Sequence, residues 1–367
     1  MTNNPNNFYL HTMEKLFDLA ETRLGATGKN PAVAACVVKE GTIIAQGVHH
    51  HEGGDHAEVL ALRAAGSDAY GSDLFVSLEP CTHYGKTPPC VEAIISSGVK
   101  RVIYAIDDPN PMVRKSGGAK RILDSHNIEV ISGVCETDAY RLNAPFFHRM
   151  KHGTPFISVK IAQTHDGYIP LAGKHGARII SSEDSLKRVH CLRRQVDAII
   201  TGIQTVISDT PSFDVRYQLL EDGFRHPSIV ILDPQLRTPL NAAFFRTAPH
   251  VILLVDSTYQ ESPKVTPYLS KAEVVFLDTK NGKFSYKSVF EVLSNKEFLH
   301  CMFEAGPTTL SWLKAEGEIN RMYYSVTPHT SLENCIKSPY DWRKEETHVR
   351  SELLGNDLWL CCDNVAH

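Results

Sequence analysis

The chain has 367 residues, enough for two or three domains if each has about 150 residues. Its 42% hydrophobic and 22% charged residues are typical of a globular protein and exclude a disordered or fibrous one. A formal net charge of −4 gives no general attraction to phosphate backbones, so a small-molecule substrate is favoured over a nucleic acid. The nine cysteines are an odd, scattered set, unlike those of a disulfide-stapled secreted domain.

The N-terminal segment has no basic stretch followed by an apolar one, and no long apolar run occurs anywhere in the chain. We therefore expect a cytoplasmic protein without a membrane partner. The sequence leaves the oligomeric state open, including assembly as a homo-oligomer.

Hydrophobic periodicity in the first half predicts alternating helices and strands. An amphipathic helix at 8–25 precedes a hairpin with strands at 33–39 and 42–48, joined across Glu40-Gly41. The later elements are predicted as helices at 56–66, 90–98, 117–127 and 136–150, and strands at 74–79, 101–106 and 128–133. This alternation indicates a layered α/β domain with a mostly parallel sheet, which we assign to residues 1–150.

A polar stretch at 151–155 suits a linker to a second α/β domain, which we assign to residues 151–367. Strands are predicted at 156–162, 198–201, 228–232, 250–255, 274–277, 300–303 and 321–326, and helices at 182–196, 286–297 and 308–316. The last ~40 residues have weak periodicity and support no assignment.

The pattern with the most chemical content joins His56, Glu58, Cys81 and Cys90. Imidazole nitrogen and thiolate sulfur suit zinc, and three protein ligands leave the fourth tetrahedral position open for water. Iron is not excluded by ligand softness alone. Glu58 can accept a proton from a water and return it to a leaving amine, which makes it the candidate catalytic residue. The H-x-E…P-C arrangement is the signature of zinc deaminases.

Around these ligands the sequence resembles the bifunctional deaminase-reductase family of bacterial riboflavin biosynthesis. The resemblance is carried by Asn30-Pro31, Gly47 through His49, Gly53 to Glu58, the unbroken segment 78–90, and Asp108-Pro109-Asn110-Pro111. The eight residues between the two cysteines fit this family and not the short C-x-x-C spacing of deaminases that act on nucleic acid. The resemblance implies an N-terminal cytidine-deaminase-like three-layer domain and a C-terminal dihydrofolate-reductase-like α/β domain.

The resemblance also implies a reaction. The substrate would be 2,5-diamino-6-ribosylamino-4(3H)-pyrimidinone 5′-phosphate, deaminated with Zn2+ and then reduced by NADPH from the ribosyl to the ribityl form. The residues implied for substrate binding in the deaminase pocket are Asn30, His49, His83, Lys86 and Asn110. These side chains offer donors for a phosphate or ring oxygen, and amides that read both kinds of edge on a heterocycle.

Residues 156–328 resemble the reductase domain of the same family. The residues implied for substrate and cofactor binding are Lys160, Arg193, Thr205, Asp209, Arg216, Glu304 and Gly306. The two arginines suit bidentate phosphate binding, and a glycine before a helix can present N–H groups to a dinucleotide phosphate. No G-x-G-x-x-G follows a predicted strand, so the Rossmann fingerprint is absent.

Several positions depart from the family pattern. Ala34 and Lys115 replace glycines, the segment 176–182 lacks the family serine and tryptophan around Ala177 and Ile179, and Ala305 replaces a glycine that permits close backbone approach. The alternative hypothesis is therefore a deaminase whose C-terminal domain serves binding or oligomerisation without reducing. A nucleic-acid deaminase and a non-enzymatic zinc protein are the remaining alternatives.

Overall fold

The computed structural model describes residues 5–171, 181–220, 223–329, 335–344 and 349–363. The chain divides into two compact units, Met1–Gly153 and Thr154–His367. Among the residues described, none of the helices combines the length and the apolar character needed to cross a bilayer.

The first unit is built on a five-stranded sheet with the order β2-β1-β3-β4-β5. Its strands are β1 (Ala34–Lys39), β2 (Thr42–Val48), β3 (Asp73–Val76), β4 (Arg101–Tyr104) and β5 (Glu129–Ile131). Its helices are α1 (Pro5–Glu21), α2 (Ala57–Ala65), α3 (Cys90–Ser97), α4 (Pro111–Lys115), α5 (Gly118–Asp124), α6 (Glu136–Leu142) and α7 (Ala144–His152). The first hairpin turns at Glu40-Gly41, where both residues have positive φ, and β3, β4 and β5 run parallel.

Alternating side chains of this sheet face two different helical layers. Leu74 and Val76 belong to the apolar cluster shared with α2, α3 and α5. Phe75 points to the other face, where its ring packs edge-on against Phe8 and Tyr9 of α1. The predicted three-layer arrangement is therefore confirmed.

Two predicted helices of this unit were wrong in their extent. The helix predicted at 117–127 begins only at Gly118, because Gly117 and Gly118 both have positive φ and α4 forms separately before them. The helix predicted at 136–150 is two helices that meet at Asn143. The buried side chain of Asn143 accepts a hydrogen bond from the N–H of Ala32 and donates one to its carbonyl, both at 2.9 Å.

The second unit contains a nine-stranded sheet with the order β11-β10-β9-β8-β14-β6-β15-β18-β17. Its strands and those of two small sheets are β6 (Phe156–Thr164), β7 (Tyr168–Pro170), β8 (Ala198–Gly202), β9 (Ser228–Leu232), β10 (Val251–Asp256), β11 (Glu273–Leu277), β12 (Thr279–Lys280), β13 (Lys283–Phe284), β14 (His300–Glu304), β15 (Arg321–Thr327), β16 (Cys335–Lys337), β17 (Val349–Leu354) and β18 (Asp357–Asp363). Its helices are α8 (Glu183–Gln195), α9 (Ile203–Asp209), α10 (Phe244–Thr247), α11 (Tyr286–Asn295) and α12 (Pro307–Glu316).

The large sheet is parallel except at β18, which pairs antiparallel with β15 and with β17. Its central strands are buried on both faces, and two apolar clusters cover them, one containing Ile200 and Phe303 and the other Ile199 and Met302. The C-terminal segment that had no sequence assignment supplies β18 and the edge strand β17. The predicted α/β architecture of this unit is confirmed.

Candidate functional site

Three metal-ligand side chains converge in the first unit. His56 is the N-cap of α2, Cys90 is the first residue of α3, and Cys81 lies in the loop after β3. Their ligand atoms lie within 4.8 Å of one another, with His56 Nδ1 3.1 Å from Cys90 Sγ and 3.4 Å from Cys81 Sγ. One nitrogen and two sulfurs at this separation fit a zinc ion and leave one tetrahedral position open.

The pKa values of the two ligand thiols are shifted in opposite directions. A hydrogen bond from Cys90 lowers the pKa of Cys81 to about 4, while the same contact and burial raise the pKa of Cys90. The backbone N–H of Cys90 also donates to Cys81 Sγ at 3.2 Å. One thiolate is therefore present at neutral pH, and a divalent cation would favour loss of the second proton.

Glu58 lies in the first turn of α2, close to the metal ligands. Its side chain is buried, and burial raises the pKa of the carboxyl to about 7. A pKa near neutrality suits a group that both accepts and donates a proton. The sequence-predicted acid-base residue and the three predicted ligands thus lie in one site.

Asn30 and His49 form a hydrogen-bonded pair beside this site. Asn30 Nδ2 donates to His49 Nε2 at 3.3 Å, which leaves His49 Nδ1 to donate to the carbonyl of Asp55 at 3.1 Å. The rings of His49 and His56 pack edge to face with centroids 5.4 Å apart. Two of the predicted substrate-binding residues therefore adjoin the metal ligands.

The other three predicted deaminase residues differ in their contacts. His83 Nδ1 is buried and has no hydrogen-bond partner among the described residues. Lys86 is exposed and forms an ion pair with Glu52 at 2.8 Å. Asn110 caps α4 by accepting a hydrogen bond from the N–H of Met112 at 3.0 Å, so its amide nitrogen is the group left for a ligand.

Glu79 and Asn143 position this pocket, and sequence reasoning missed both. The buried carboxylate of Glu79 accepts hydrogen bonds from the N–H groups of Asp108, at 2.9 Å, and Ala119, at 2.7 Å, and pairs with Arg114. Glu79 thereby fixes the loop of Asn110 to the loop of Cys81. Asn143, through its two bonds to the residue after Pro31, fixes the loop of Asn30.

The second unit has a cavity of about 860 Å³ at the carboxyl ends of β6, β8, β9 and β14. From β8 the chain continues to β9 on one side, whereas from β14 it continues past β6 to β15 on the other side. The gap between β8 and β14 is therefore a topological switch point, where open α/β sheets bind ligands. Six of the seven predicted reductase residues line the cavity: Lys160, Arg193, Thr205, Asp209, Glu304 and Gly306.

A bidentate ion pair forms part of the wall of this cavity. Arg193 Nε and Nη2 donate to the two carboxylate oxygens of Glu304 at 2.7 and 2.8 Å. Burial alone would raise the pKa of Glu304, but Arg193 outweighs it and holds that pKa below its usual range. Lys160, the strand partner of Glu304, has its pKa lowered by burial. Lys160 forms no hydrogen bond or ion pair with the residues described.

The turn between β14 and α12 lines the cavity and packs closely against Thr205. The N–H of Gly306 donates to Thr205 Oγ1 at 3.1 Å, and a Cβ at Gly306 would approach that oxygen to 3.2 Å. Because the N–H of Gly306 is engaged and Pro307 has none, the N–H groups of Thr308 and Thr309 in the first turn of α12 are the ones at the cavity that suit a phosphate.

Arg216 is the seventh predicted reductase residue, and it does not line the cavity. Its guanidinium donates to both oxygens of Asp214 at 3.0 Å and to Ser212 Oγ at 2.7 Å, and its side chain is 59% exposed. Local acceptors within four residues therefore compete with any phosphate for this arginine.

Comparison with known proteins decides the family. Residues 7–106 match the cytidine and deoxycytidylate deaminase zinc-binding region, and residues 155–330 match the RibD C-terminal domain. The chain is 41% identical to riboflavin biosynthesis protein RibD of Aquifex aeolicus, covering 94% of this chain and 96% of the relative. The chain belongs to the RibD family. The Escherichia coli RibD is 31% identical over 93% of this chain and 96% of its own length.

Solved RibD structures agree with this assignment. Acinetobacter baumannii RibD, form 1, is 30% identical, with a TM-score of 0.80 over 98% of this chain and 99% of that one. A diaminohydroxyphosphoribosylaminopyrimidine deaminase/5-amino-6-(5-phosphoribosylamino)uracil reductase from Thermotoga maritima is 28% identical, with a TM-score of 0.82 over 98% and 99%. The chain is therefore an enzyme of riboflavin biosynthesis with a zinc-binding deaminase domain and a reductase domain.

Of the residues that depart from the family pattern, one lines the reductase cavity and the other described ones lie in the first unit. Ala177 and Ile179 lie outside the described residues. Ala34 is buried in β1, and Lys115 is exposed at the end of α4. Ala305 lines the cavity, and α12 begins at Pro307 directly after Gly306.

Thr87 supports a metal ligand, and its mutation is a first test of the zinc site. Thr87 Oγ1 lies 3.4 Å from His56 Nε2 and can accept a hydrogen bond from Nε2–H in the tautomer that leaves Nδ1 free for the metal. Loss of such a supporting contact lowers metal affinity by about 10–100-fold. We expect Thr87→Ala to weaken zinc binding in a chelator competition and Thr87→Ser to restore it. Equal zinc affinity in all three proteins would contradict this role.

The Arg193–Glu304 pair predicts a stability effect. Both side chains are nearly buried, at 14% and 12% exposure, so Glu304→Gln leaves a buried cation without its partner. We expect the free energy of unfolding of the reductase unit to fall by about 3 kcal/mol. Glu352→Gln, which breaks the exposed pair with Arg188, is the control and should cost under about 1 kcal/mol.

Urea denaturation measures both values, and equal small losses would contradict the prediction. Because the folded pKa of Glu304 is lowered, the pair stabilises the unit above the ordinary glutamate pKa of 4.5. That contribution should disappear as the pH falls through the lower folded pKa, and Glu304→Gln should remove the dependence.

Proposed function

We propose that this protein deaminates 2,5-diamino-6-ribosylamino-4(3H)-pyrimidinone 5′-phosphate and then reduces the ribosyl group of the product to ribityl with NADPH. The observation that carries the second step is the convergence of Lys160, Arg193, Glu304 and Gly306 on one large cavity. Its volume, about 860 Å³, lies in the range of small-molecule and cofactor sites. A domain retained only for binding or oligomerisation would not need these groups together.

In the deaminase, Glu58 carries the proton. His56, Cys81 and Cys90 would hold the zinc, which would act as a Lewis acid and make water a stronger nucleophile at neutral pH. Water adds to the ring carbon that bears the amino group, and Glu58 accepts its proton. Glu58 then delivers the proton to the leaving nitrogen, the C–N bond breaks, and ammonia departs.

The residues around the zinc ligands orient the pyrimidine. The side-chain nitrogen of Asn30 is already hydrogen-bonded to His49, so its side-chain oxygen, Oδ1, is the atom that can accept from an exocyclic amine. His83 has a buried, unpartnered Nδ1 that can bond a ring or phosphate oxygen. Lys86 would have to exchange its Glu52 partner for the phosphate of the substrate.

In the reductase, bound NADPH would supply the hydride that reduces the ribosyl group. The buried ion pair fixes the carboxylate of Glu304, so its remaining acceptor capacity can orient the ribosyl hydroxyls. Lys160 faces the same cavity with its ammonium group unpaired in the described part of the chain, and can bond a ribosyl oxygen. The N–H groups at the start of α12, directly after Gly306, can bind the dinucleotide diphosphate.

A two-stage assay tests the proposal. Purified protein loaded with zinc should release ammonia from the diaminopyrimidine phosphate, and addition of NADPH should then lower the absorbance at about 340 nm. Ammonia release without NADPH oxidation would favour the deaminase with an inactive second domain. We also propose a cytoplasmic location, which the odd number and scattered positions of the nine cysteines favour.

A further inference from the structure

Two cations that no assigned role uses, Arg237 and Lys283, line the reductase cavity. Arg237 follows β9, and Lys283 begins β13. Neither side chain forms a hydrogen bond or an ion pair with any residue in the described ranges. Both are exposed, so an anion in the cavity could reach them without displacing a partner.

The backbone around each cation is fixed, although the cation is free. Asp233 is fully buried, and its carboxylate accepts from the N–H and the hydroxyl of Thr238 at 2.8 and 2.7 Å. Leu236 is buried in the core, so Arg237 projects from between two anchored residues. Lys283 precedes Phe284, which is also buried and whose carbonyl accepts from Trp312 Nε1 at 3.0 Å.

Charge is unevenly distributed along the cavity. Its charged lining residues are Lys160, Arg193, Asp209, Arg237, Lys283 and Glu304. The four around β6, β14, α8 and α9 comprise two cations and two anions and cancel. The remaining two are both positive, although the chain as a whole has a net charge of −4. The two cations after β9 and in β13 therefore give the cavity an excess of positive charge that the other four lining residues do not balance.

Arg237 is also distant from Lys160, one of the residues that would hold the sugar. β9, which Arg237 follows, is separated from β6 by β8 and β14. Three strand spacings correspond to roughly 14 Å along the sheet. A dinucleotide with its nicotinamide beside Glu304 and its diphosphate at Gly306 would extend its adenosine half toward β9.

We propose that Arg237 and Lys283 bind the 2′-phosphate of NADPH and make the reductase select NADPH over NADH. This inference rests on the proposed reductase function and deepens it. The 2′-phosphate is the one anionic group that NADPH has and NADH lacks. The substrate carries a phosphomonoester of the same chemistry, so the experiment must distinguish the two sources.

Isothermal titration calorimetry of the full-length protein with NADPH, NADH and 2′,5′-ADP tests the subsite. We expect Arg237→Ala and Lys283→Ala each to raise the Kd for NADPH and 2′,5′-ADP by about tenfold, the effect of one charged hydrogen bond. Binding of NADH should not change. Lys287→Ala removes an exposed lysine of α11 that does not line the cavity, and should bind all three ligands as the parent does.

Three results would overturn the subsite. They are unchanged NADPH binding in both variants, equal losses for NADPH and NADH, or weaker binding of the deaminated substrate with NADPH unaffected. The last would assign the two cations to the substrate phosphate. A parent protein that binds and oxidises no NADPH would instead refute the proposed reductase function, so the two failures are distinguishable.

Discussion

The Glu58→Gln variant should keep its zinc and lose deamination. Glutamine retains the size of the buried side chain and cannot accept the proton from water. Removal of a general acid-base group typically lowers kcat by about 10²–10⁴-fold. Ammonia release measures the loss, and the metal content of the purified protein shows that His56, Cys81 and Cys90 still bind.

Two controls separate the role of Glu58 from a structural one. Glu92→Gln changes an exposed glutamate in the first turn of α3 that accepts from the Tyr84 hydroxyl, and should leave deamination intact. Reduction of separately supplied deaminated substrate should be unaffected in the Glu58 variant. Deamination at the parent rate would refute the proposed mechanism, and loss of zinc would point to a metal-holding role.

The α/β alternation of both units could be predicted because strand and helix patterns are local. The hairpin at 33–48 and the strand at 228–232 follow from short runs of β-branched residues between turn signals. The break at Asn143 could not, since it depends on a hydrogen-bonded pair with Ala32, 111 residues away. The edge strand β17 was missed because its exposed positions give weak periodicity, and its neighbour β18 was missed although most of its residues are buried.

The site divides in the same way. The zinc ligands and Glu58 were found because a metal constrains residue type and spacing, which the sequence displays directly. Glu79 could not be recognised, because the two backbone N–H groups that donate to its carboxylate, those of Asp108 and Ala119, lie 29 and 40 residues away along the chain. Arg216 was placed at a phosphate by residue type alone. The sequence does not reveal that Asp214, two residues earlier, engages its guanidinium.

The Gly47→Ala variant should lose deaminase activity although Gly47 is not among the metal ligands or the predicted substrate-binding residues. Gly47 lies in β2 against α2, the helix that bears Glu58 and follows His56. A Cβ at this position would collide with the carbonyl oxygen of Ala57 and lie 2.6 Å from the nitrogen of Ala61. Because both are backbone atoms of the helix, α2 must shift rather than a side chain rotate.

The shift should reduce stability and zinc affinity together. Overpacking of this kind costs about 1–3 kcal/mol of unfolding free energy, and displaced ligands bind metal more weakly. Gly85→Ala is the matched control, because a Cβ at Gly85 meets no atom within 4 Å although it lies between Cys81 and Cys90. Thermal melting and chelator competition should separate the two variants, and identical behaviour would show that α2 tolerates the added methyl group. The reductase activity of both should match the parent, since Gly47 belongs to the other unit.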